Sequence, residues 1–301
     1  MSNNETIGFI GLGVMGGPMC ANMARKHDGK VLAFDLSETA LKAVEDAGAE
    51  RVGSVNALAE QADVIFLSLP GGPQVEAVAG EIAAAAGRCS LVVDLSTTPV
   101  ATARKVAADL AAHNIGFADA PVARTREAAQ KGALAIMVGA SDAVYQRIRP
   151  MLDYIATDVT HGGDVGAGQV LKLVNNMLVF ANTVALAEMI VLGEKAGVAA
   201  DVLLDAVSKG SGDSFVLRNH GMKAMLPREF PDKAFSPEYV LKDISYVFEL
   251  AQQSGVALPS AAAARRYYEM ATTTDLSGRY FPGVIELVER GVMAGDKGEA
   301  E

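Results

Sequence analysis

Cysteine is nearly absent from this 301-residue chain: Cys20 and Cys89 are its only two. Neither sits at CxxC or Cys/His spacing, so the sequence offers no disulfide framework and no metal-ligand set, and both read as buried thiols. The four histidines, His27, His113, His161 and His220, are also scattered beyond metal-ligand spacing. Each reads as solvated or structural, and no metal is expected. Positive charge is scarce as well. With 26 Lys and Arg against 36 Asp and Glu the net charge is -10, which leaves no basic field for a phosphate backbone and excludes nucleic acid as a partner. A clean apolar run of about 20 residues, the length that spans a bilayer, is missing too. The most apolar stretch, 177–193, is broken by Asn182, Thr183 and Glu188 and reads as a buried helix, not a membrane segment. The first residues, MSNNETIGFIGLG, lack the basic segment of a secretory signal, so the expected location is cytoplasmic.

What is present is apolar and patterned. Half of the residues are hydrophobic and 21% are charged, a globular rather than a disordered composition; at about 150 residues per domain the length suggests two. Strands are expected at 7–10, 31–34, 64–69, 91–94, 116–119 and 134–138, and helices at 15–26, 38–47, 74–86, 101–113, 124–130 and 143–153. Such alternation marks βαβ units that build a doubly wound, Rossmann-type parallel sheet. After His161-Gly162-Gly163 the alternation ends, and helical periodicity continues with no convincing strand. The expected α/β fold is therefore a Rossmann-type domain over 1–163 followed by an all-α helical domain over 164–301. Within the latter, 169–197 is apolar around most of its circumference and must be covered by other elements or another subunit. Residues 294–301 read as a frayed tail.

Gly11-Leu12-Gly13-Val14-Met15-Gly16 follows the first strand directly and opens a helix. Glycines at that spacing permit a tight turn, let the backbone approach a pyrophosphate and let the helix pack on the sheet. The helix N-terminus turns unpaired N–H groups and its positive dipole end to the phosphates. A lone glycine motif is weak evidence, but this one falls at the first βα turn, and Asp35 ends the next strand nineteen residues after Gly16. A carboxylate there accepts hydrogen bonds from both ribose hydroxyls and repels a 2′-phosphate, and Leu36-Ser37 provides no cation to hold one. NAD is expected in preference to NADP. Two further loops leave strand ends where ligands of such sheets bind, Leu69-Pro70-Gly71-Gly72-Pro73 and Leu95-Ser96-Thr97-Thr98-Pro99. Ordinary turn and capping chemistry explains either of them equally well.

Lys172 and Asn176 stand four residues apart in Gly166-x-Gly168-x-x-x-Lys172-x-x-x-Asn176 and so share one helix face. A lone lysine on a long helix more often snorkels to water. Here Lys172, Asn175 and Asn176 together interrupt a very apolar helix just past the expected domain boundary, a position where ligand sites concentrate. A lysine partly withdrawn from water there would relay a proton to or from a substrate oxygen during hydride transfer.

These residues resemble the β-hydroxyacid dehydrogenases, the family of 3-hydroxyisobutyrate dehydrogenase and tartronate semialdehyde reductase. The resemblance covers nearly the whole chain and rests on five ordered motifs: GFIGLGVMGGPMCANM at the start, DLSTTPV at 94–100, DAPV at 119–122 with KGALAIMVGAS at 131–141, GAGQVLKLVNN at 166–176 and FSPEYVLKD at 235–243. It implies a Rossmann domain joined to an all-α domain that forms homo-oligomers, dimers or tetramers. It also implies an NAD-linked oxidoreductase acting on a small anionic substrate, a short 3-hydroxy acid or its semialdehyde. By the same resemblance Lys172 is the general acid/base and Asn176 orients the substrate. Ser96 lies near the nicotinamide, Lys242 and Asp243 close the cofactor site from the helical domain, and Phe235 lines the cleft; Leu69 and Pro70 are expected to contact the cofactor from their strand-end loop.

One loop departs from the family. Where the family continues DAPV with Ser-Gly-Gly to hold a substrate carboxylate, this chain has Ala123, Arg124 and Thr125. Arginine gives planar, bidentate recognition of oxyanions, and the Arg-Thr pair resembles the 3-sulfolactaldehyde reductase branch, in which arginine helps bind a sulfonate. Two plainer alternatives stand beside this. Arg124 caps local backbone or pairs with an acid such as Glu127, or the altered loop marks a catalytically silent NAD-binding sensor or scaffold. The retained Lys172, Asn176, Lys242 and Asp243 argue against the last.

Overall fold

Short apolar runs closed off by turn residues become buried strands here, because helices cover both faces of the sheet and strand residues must be apolar on either side. In the computed structural model, which describes residues 5–85, 87–232 and 234–291, the first elements are β1 Ile7–Ile10, α1 Gly16–Lys26, β2 Val31–Phe34, α2 Glu38–Glu45, β3 Glu50–Arg51, α3 Val55–Ala59, β4 Val64–Leu67, α4 Gly72–Ala84, β5 Leu91–Asp94 and α5 Val100–Ala111. They are followed by β6 Gly116–Asp119, β7 Val122–Ala123, α6 Arg126–Lys131, β8 Leu134–Gly139, α7 Asp142–Leu152, β9 Ala156–Gly163 and the long α8 Ala167–Lys195. The remainder is helical: α9 Ala200–Ser208, a π-helix Leu217–Met225, α10 Pro237–Ser254, α11 Pro259–Ala271, a 3-10 turn Phe281–Val284 and α12 Ile285–Glu289. The chain divides into two compact units, Met1–Lys172 and Leu173–Glu301. Residue 86, the end of one expected helix, and the expected tail 294–301 lie outside the described residues.

In the first unit the strand order is β3-β2-β1-β4-β5-β6-β8-β7, with β9 beside β8. The first six form the parallel Rossmann arrangement. The sheet is not parallel throughout, which corrects the sequence expectation: β8 runs antiparallel to β6 and β7, and β9 follows β8. All six expected strands form, while β3, β7 and β9 were not expected. Two of these are two residues long, and β9 is an edge strand in which only Ala156 is buried. Successive residues feed opposite cores. Val64 and Phe66 pack with Phe9, Met19 and Val93 on one face, and Ile65 and Leu67 pack with Leu58, Ile82 and Val92 on the other. Cys20 and Cys89 are buried thiols, pushed up by burial to about 12 and about 11.

The second unit has its core around Ala187, Ile190, Leu204, Leu217, Met225 and Ile285. Among the described residues its only β pairing is the isolated bridge between Asp232 and Arg279. A group of rings, Phe180, Phe235, Tyr268 and Phe281, packs edge to face and stacked with centroids 5.8–6.1 Å from Phe180. His220 lies beside it, hydrogen-bonded to the Tyr280 hydroxyl at 2.8 Å and held down to about 4 by burial, so it is neutral. Among the described residues α8 alone has the length and composition of a membrane span, a property it shares with central helices of globular domains.

β5 and β6 end side by side on Asp94 and Asp119, register partners with no solvent exposure. Asp119 Oδ1 accepts from the Gly166 amide at 2.6 Å and Oδ2 from the Gln169 amide at 2.7 Å. Amides of a helix's first turn have no partner within the helix, so this carboxylate anchors the start of α8 to the sheet. The approach is close: a Cβ on Gly168 would fall against the Met137 carbonyl, and one on Gly139 against Asp119 Oδ1. Asp94 accepts from the Ser96 amide at 2.9 Å and faces the Thr98 hydroxyl at 3.5 Å. Burial pushes the Asp94 carboxyl up to about 7, opposed by its bonds to Ser96 and helped by the charge of Asp119. Burial likewise pushes Asp119 up to about 6 against the pull of its two amides. A carboxyl raised in the folded state contributes stability at low pH that is lost as pH climbs toward the folded value. Asp94→Asn keeps an acceptor for Ser96 and removes that loss. In thermal denaturation the difference between variant and wild type should move in the variant's favour between about pH 4 and about pH 7 and stay level above; a difference that does not change with pH over that range would contradict the raised carboxyl.

Candidate active site

Gly11 leaves β1 at φ +93°, and a Cβ there would collide with the Ser68 carbonyl; Gly16 likewise abuts the Gly11 carbonyl. At Gly13 nothing lies within 4 Å of an added Cβ, so the turn is open where a pyrophosphate approaches. Leu12 is buried, Val14 is exposed, and Met15 stands at the cap of α1, whose first turn carries no acid. Its N–H groups and positive dipole end are therefore suited to an anion. The Leu12 amide donates to Asp35 Oδ2 at 2.5 Å and the Ser37 amide to Oδ1 at 2.7 Å. This fixes the carboxylate beside the turn and still leaves about two of its four lone-pair positions for ribose hydroxyls. The residues fit a dinucleotide with an unmodified 2′ hydroxyl.

The loops after β4 and β5 are tied together. The Leu69 amide donates to Ser96 Oγ at 2.9 Å, while Ser96 itself is buried and Pro70 is exposed. The carboxamide of Gln169 grips the second loop, its Nε2 donating to the Ser96 carbonyl at 2.8 Å and its Oε1 accepting from the Thr98 amide at 3.1 Å. Sequence reasoning singled out Ser96 and missed Gln169, although it stands inside the GAGQVLK segment. Its only signal was a polar side chain at the start of an apolar helix. Lys172 follows three residues later in α8, 9% exposed.

In the second unit Asn176, 7% exposed, donates from Nδ2 to Asp243 Oδ2 at 2.7 Å, and its Oδ1 accepts from Asn175 Nδ2 at 3.1 Å. These bonds set the amide orientation and leave one N–H and one lone pair for a ligand. Asp243, expected at the cofactor, is itself buried and turned toward Asn176, with Lys242 Nζ 3.3 Å from its other oxygen. Lys242 also lies 5.6 Å above the Tyr246 ring. Phe235, half-exposed, stacks on Phe180 at 6.1 Å, one helical turn beyond Asn176.

The altered loop brings Ala123, Arg124 and Thr125 to the edge of the sheet. Ala123 is buried in β7, and Thr125 caps α6 by accepting from the Ala128 amide at 3.3 Å. Arg124 adopts φ +86°, a conformation that favours glycine. Its Nη1 donates to the Ala133 carbonyl and to Thr157 Oγ1, both at 2.8 Å, and its Nη2 to Asp158 Oδ2 at 2.6 Å. Bonds from Thr157 and from Arg124 hold the Asp158 carboxyl below its ordinary range. Glu127 pairs with Lys131. The guanidinium thus straps the 122–125 turn to the ends of β8 and β9.

Residues 6–163 match the family described as the NAD binding domain of 6-phosphogluconate dehydrogenase, and residues 166–288 the one described as NAD-binding of NADP-dependent 3-hydroxyisobutyrate dehydrogenase. The chain is 35% identical over 293 residues to 2-(hydroxymethyl)glutarate dehydrogenase of Eubacterium barkeri, covering 96% of this chain and 97% of that one. It is 33% identical over 278 residues to 3-hydroxyisobutyrate dehydrogenase of Pseudomonas aeruginosa, over 89% and 93%. Among solved structures, Mycobacterium tuberculosis 3-hydroxyisobutyrate dehydrogenase with L-serine matches with a TM-score of 0.86 at 30% identity, over 94% of this chain and 99% of that one. Likeness over the full length, together with the open glycine turn and the carboxylate of Asp35, means that the chain belongs to the β-hydroxyacid dehydrogenase family and is an NAD-dependent hydroxyacid dehydrogenase.

Proposed function

We propose that the substrate is a short 3-hydroxy acid or its semialdehyde, and that Lys172 is the general acid and base. The observation that carries this reading is a buried lysine one turn past the residue that grips the Ser96–Thr98 loop. NAD, held along Gly11–Gly16 and by Asp35, supplies the hydride acceptor or donor. In oxidation neutral Lys172 takes the proton that the hydroxyl loses as its carbon is oxidised; in reduction the ammonium returns it to the carbonyl oxygen. Asn176 presents its remaining N–H and lone pair to the substrate, and Phe235 supplies an apolar wall. Leu69, Pro70 and Ser96 flank the nicotinamide, with Lys242 as a further contact to the cofactor. Lys172→Ala should lower kcat by roughly 10²–10⁴ with an unchanged Kd for NADH in a fluorescence titration; full turnover by this variant would overturn the assignment.

The contacts of Arg124 favour a carboxylate head group over the sulfonate of the 3-sulfolactaldehyde reductase reading, since the guanidinium is engaged by Ala133, Thr157 and Asp158. Arg124→Gly retains the positive φ and should leave KM for a carboxylate semialdehyde within about twofold. A large rise in KM confined to 3-sulfolactaldehyde would return the guanidinium to the substrate.

The proposed assembly is a homo-oligomer, dimer or tetramer, in the cytoplasm. It is supported by an exposed apolar stripe along α8, formed by Leu171, Val174, Leu178, Met189 and Leu192, of the kind that a second copy covers. Light scattering at micromolar concentration should return about two or four times the chain mass; a monomer would contradict it.

A further inference from the structure

Gln169 has no solvent exposure, yet the acid–base chemistry does not use it. Both ends of its carboxamide are engaged by one loop, at the Ser96 carbonyl (2.8 Å) and the Thr98 amide (3.1 Å), and its main-chain amide donates to Asp119 at 2.7 Å. The loop is held from two other sides, by Asp94 on the Ser96 amide and by Ser96 Oγ on the Leu69 amide, each at 2.9 Å. Three strand ends, those of β4, β5 and β6, therefore converge through Gln169 on the first turn of α8. Lys172 follows at i+3, on the same side of the helix.

We infer that Gln169 is a positioning residue for hydride transfer, one that sets where Lys172 meets the substrate oxygen relative to the 96–98 loop. The inference rests on Lys172 acting as the acid and base. The position demands one donor and one acceptor at a fixed separation. Glutamine has both, methionine has neither, asparagine is a methylene too short, and an ionised glutamate presents two acceptors to the Ser96 carbonyl. A protonated glutamic acid has the shape of the carboxamide and again donates on one side and accepts on the other. Gln169→Glu is therefore a conservative rescue switched by pH. The charged groups around the position are Asp94 and Asp119 at the ends of β5 and β6, Arg104 on α5, whose charge acts on Asp119, and Lys172 on α8 itself. Burial and the two carboxyls favour the neutral acid at position 169, while the two cations oppose them. All four remain in the wild type, whose pH profile is the baseline.

The test compares wild type, Gln169→Met, Gln169→Glu and Lys172→Ala in single turnovers of methylmalonate semialdehyde with NADH and with 4-deuterated NADH, well below the melting temperature. Gln169→Met should transfer hydride roughly 10- to 100-fold more slowly at every pH, with a fully expressed deuterium effect and an unchanged Kd for NADH. Gln169→Glu should be as slow at high pH and regain most of the wild-type rate, relative to that baseline, as its carboxyl protonates. A merely structural role would lower melting temperatures without that pH-dependent return, so a Glu variant equally slow at every pH would overturn the inference. Wild-type hydride transfer by Gln169→Met would overturn it as well. If Lys172→Ala is slow and Gln169→Met is not, this inference alone has failed; if Lys172→Ala is fast, the reading it rests on has failed.

Discussion

Two hydrogen bonds from the first turn of α8 to one buried carboxylate, that of Asp119, fix the origin of the helix that carries Lys172. Removing a carboxylate from water is unfavourable unless the protein replaces its hydrogen bonds. Here two amides that lack helical partners do so, and the same contact satisfies both sides. Gly139 and Gly168 make it possible, because a Cβ on either would press into Asp119 or its neighbours. The helix position is thus set by one buried carboxylate held on both oxygens and by glycine backbone that lets it come close. Everything proposed for Lys172 inherits that rigidity.

The remaining groups gather where the strands end. Gly11 leaves β1, Asp35 follows β2, Leu69 follows β4, Ser96 follows β5 and Asp119 closes β6. Parallel strands bring their carboxyl ends to one edge of the sheet, which is why ligands of open α/β sheets bind there. The Leu69–Ser96 and Ser96–Gln169 bonds then turn separate loops into one connected support. In the second unit, the Asp243–Asn176–Asn175 chain does the same for one amide. The Arg124 loop follows a similar logic: a residue with a long side chain stands at positive φ and its side chain reaches back to the sheet edge.

Much of this could be read from the residues. The alternating apolar runs located the six expected strands because burial on both faces leaves no other composition for them, and the glycine turn with Asp35 announced the cofactor. The polar edge strand β9 escaped notice because Thr157, Asp158 and Thr160 face solvent and mask its extended character. β8 gave no sign of its reversed direction, since the apolar run 134–138 has the same composition either way. Gln169 and Asp243 were visible as residues, but the groups they bond to were not. Their roles depend on which loop or helix meets them across the fold, at sequence separations of 73 and 67 residues, and no local pattern encodes that. For Arg124 the residue type left an anion contact and local capping both open, and its three partners, Ala133, Thr157 and Asp158, were not legible in the local sequence.

The most direct test of the account is reduction of a matched set of aldehydes by the purified protein: methylmalonate semialdehyde, tartronate semialdehyde, succinic semialdehyde and 3-sulfolactaldehyde, each with NADH and with NADPH. The account predicts turnover of a short carboxylate semialdehyde with NADH well above that with NADPH. Strong preference for the sulfonate, or tight NADH binding with no turnover of any of the four, would contradict it.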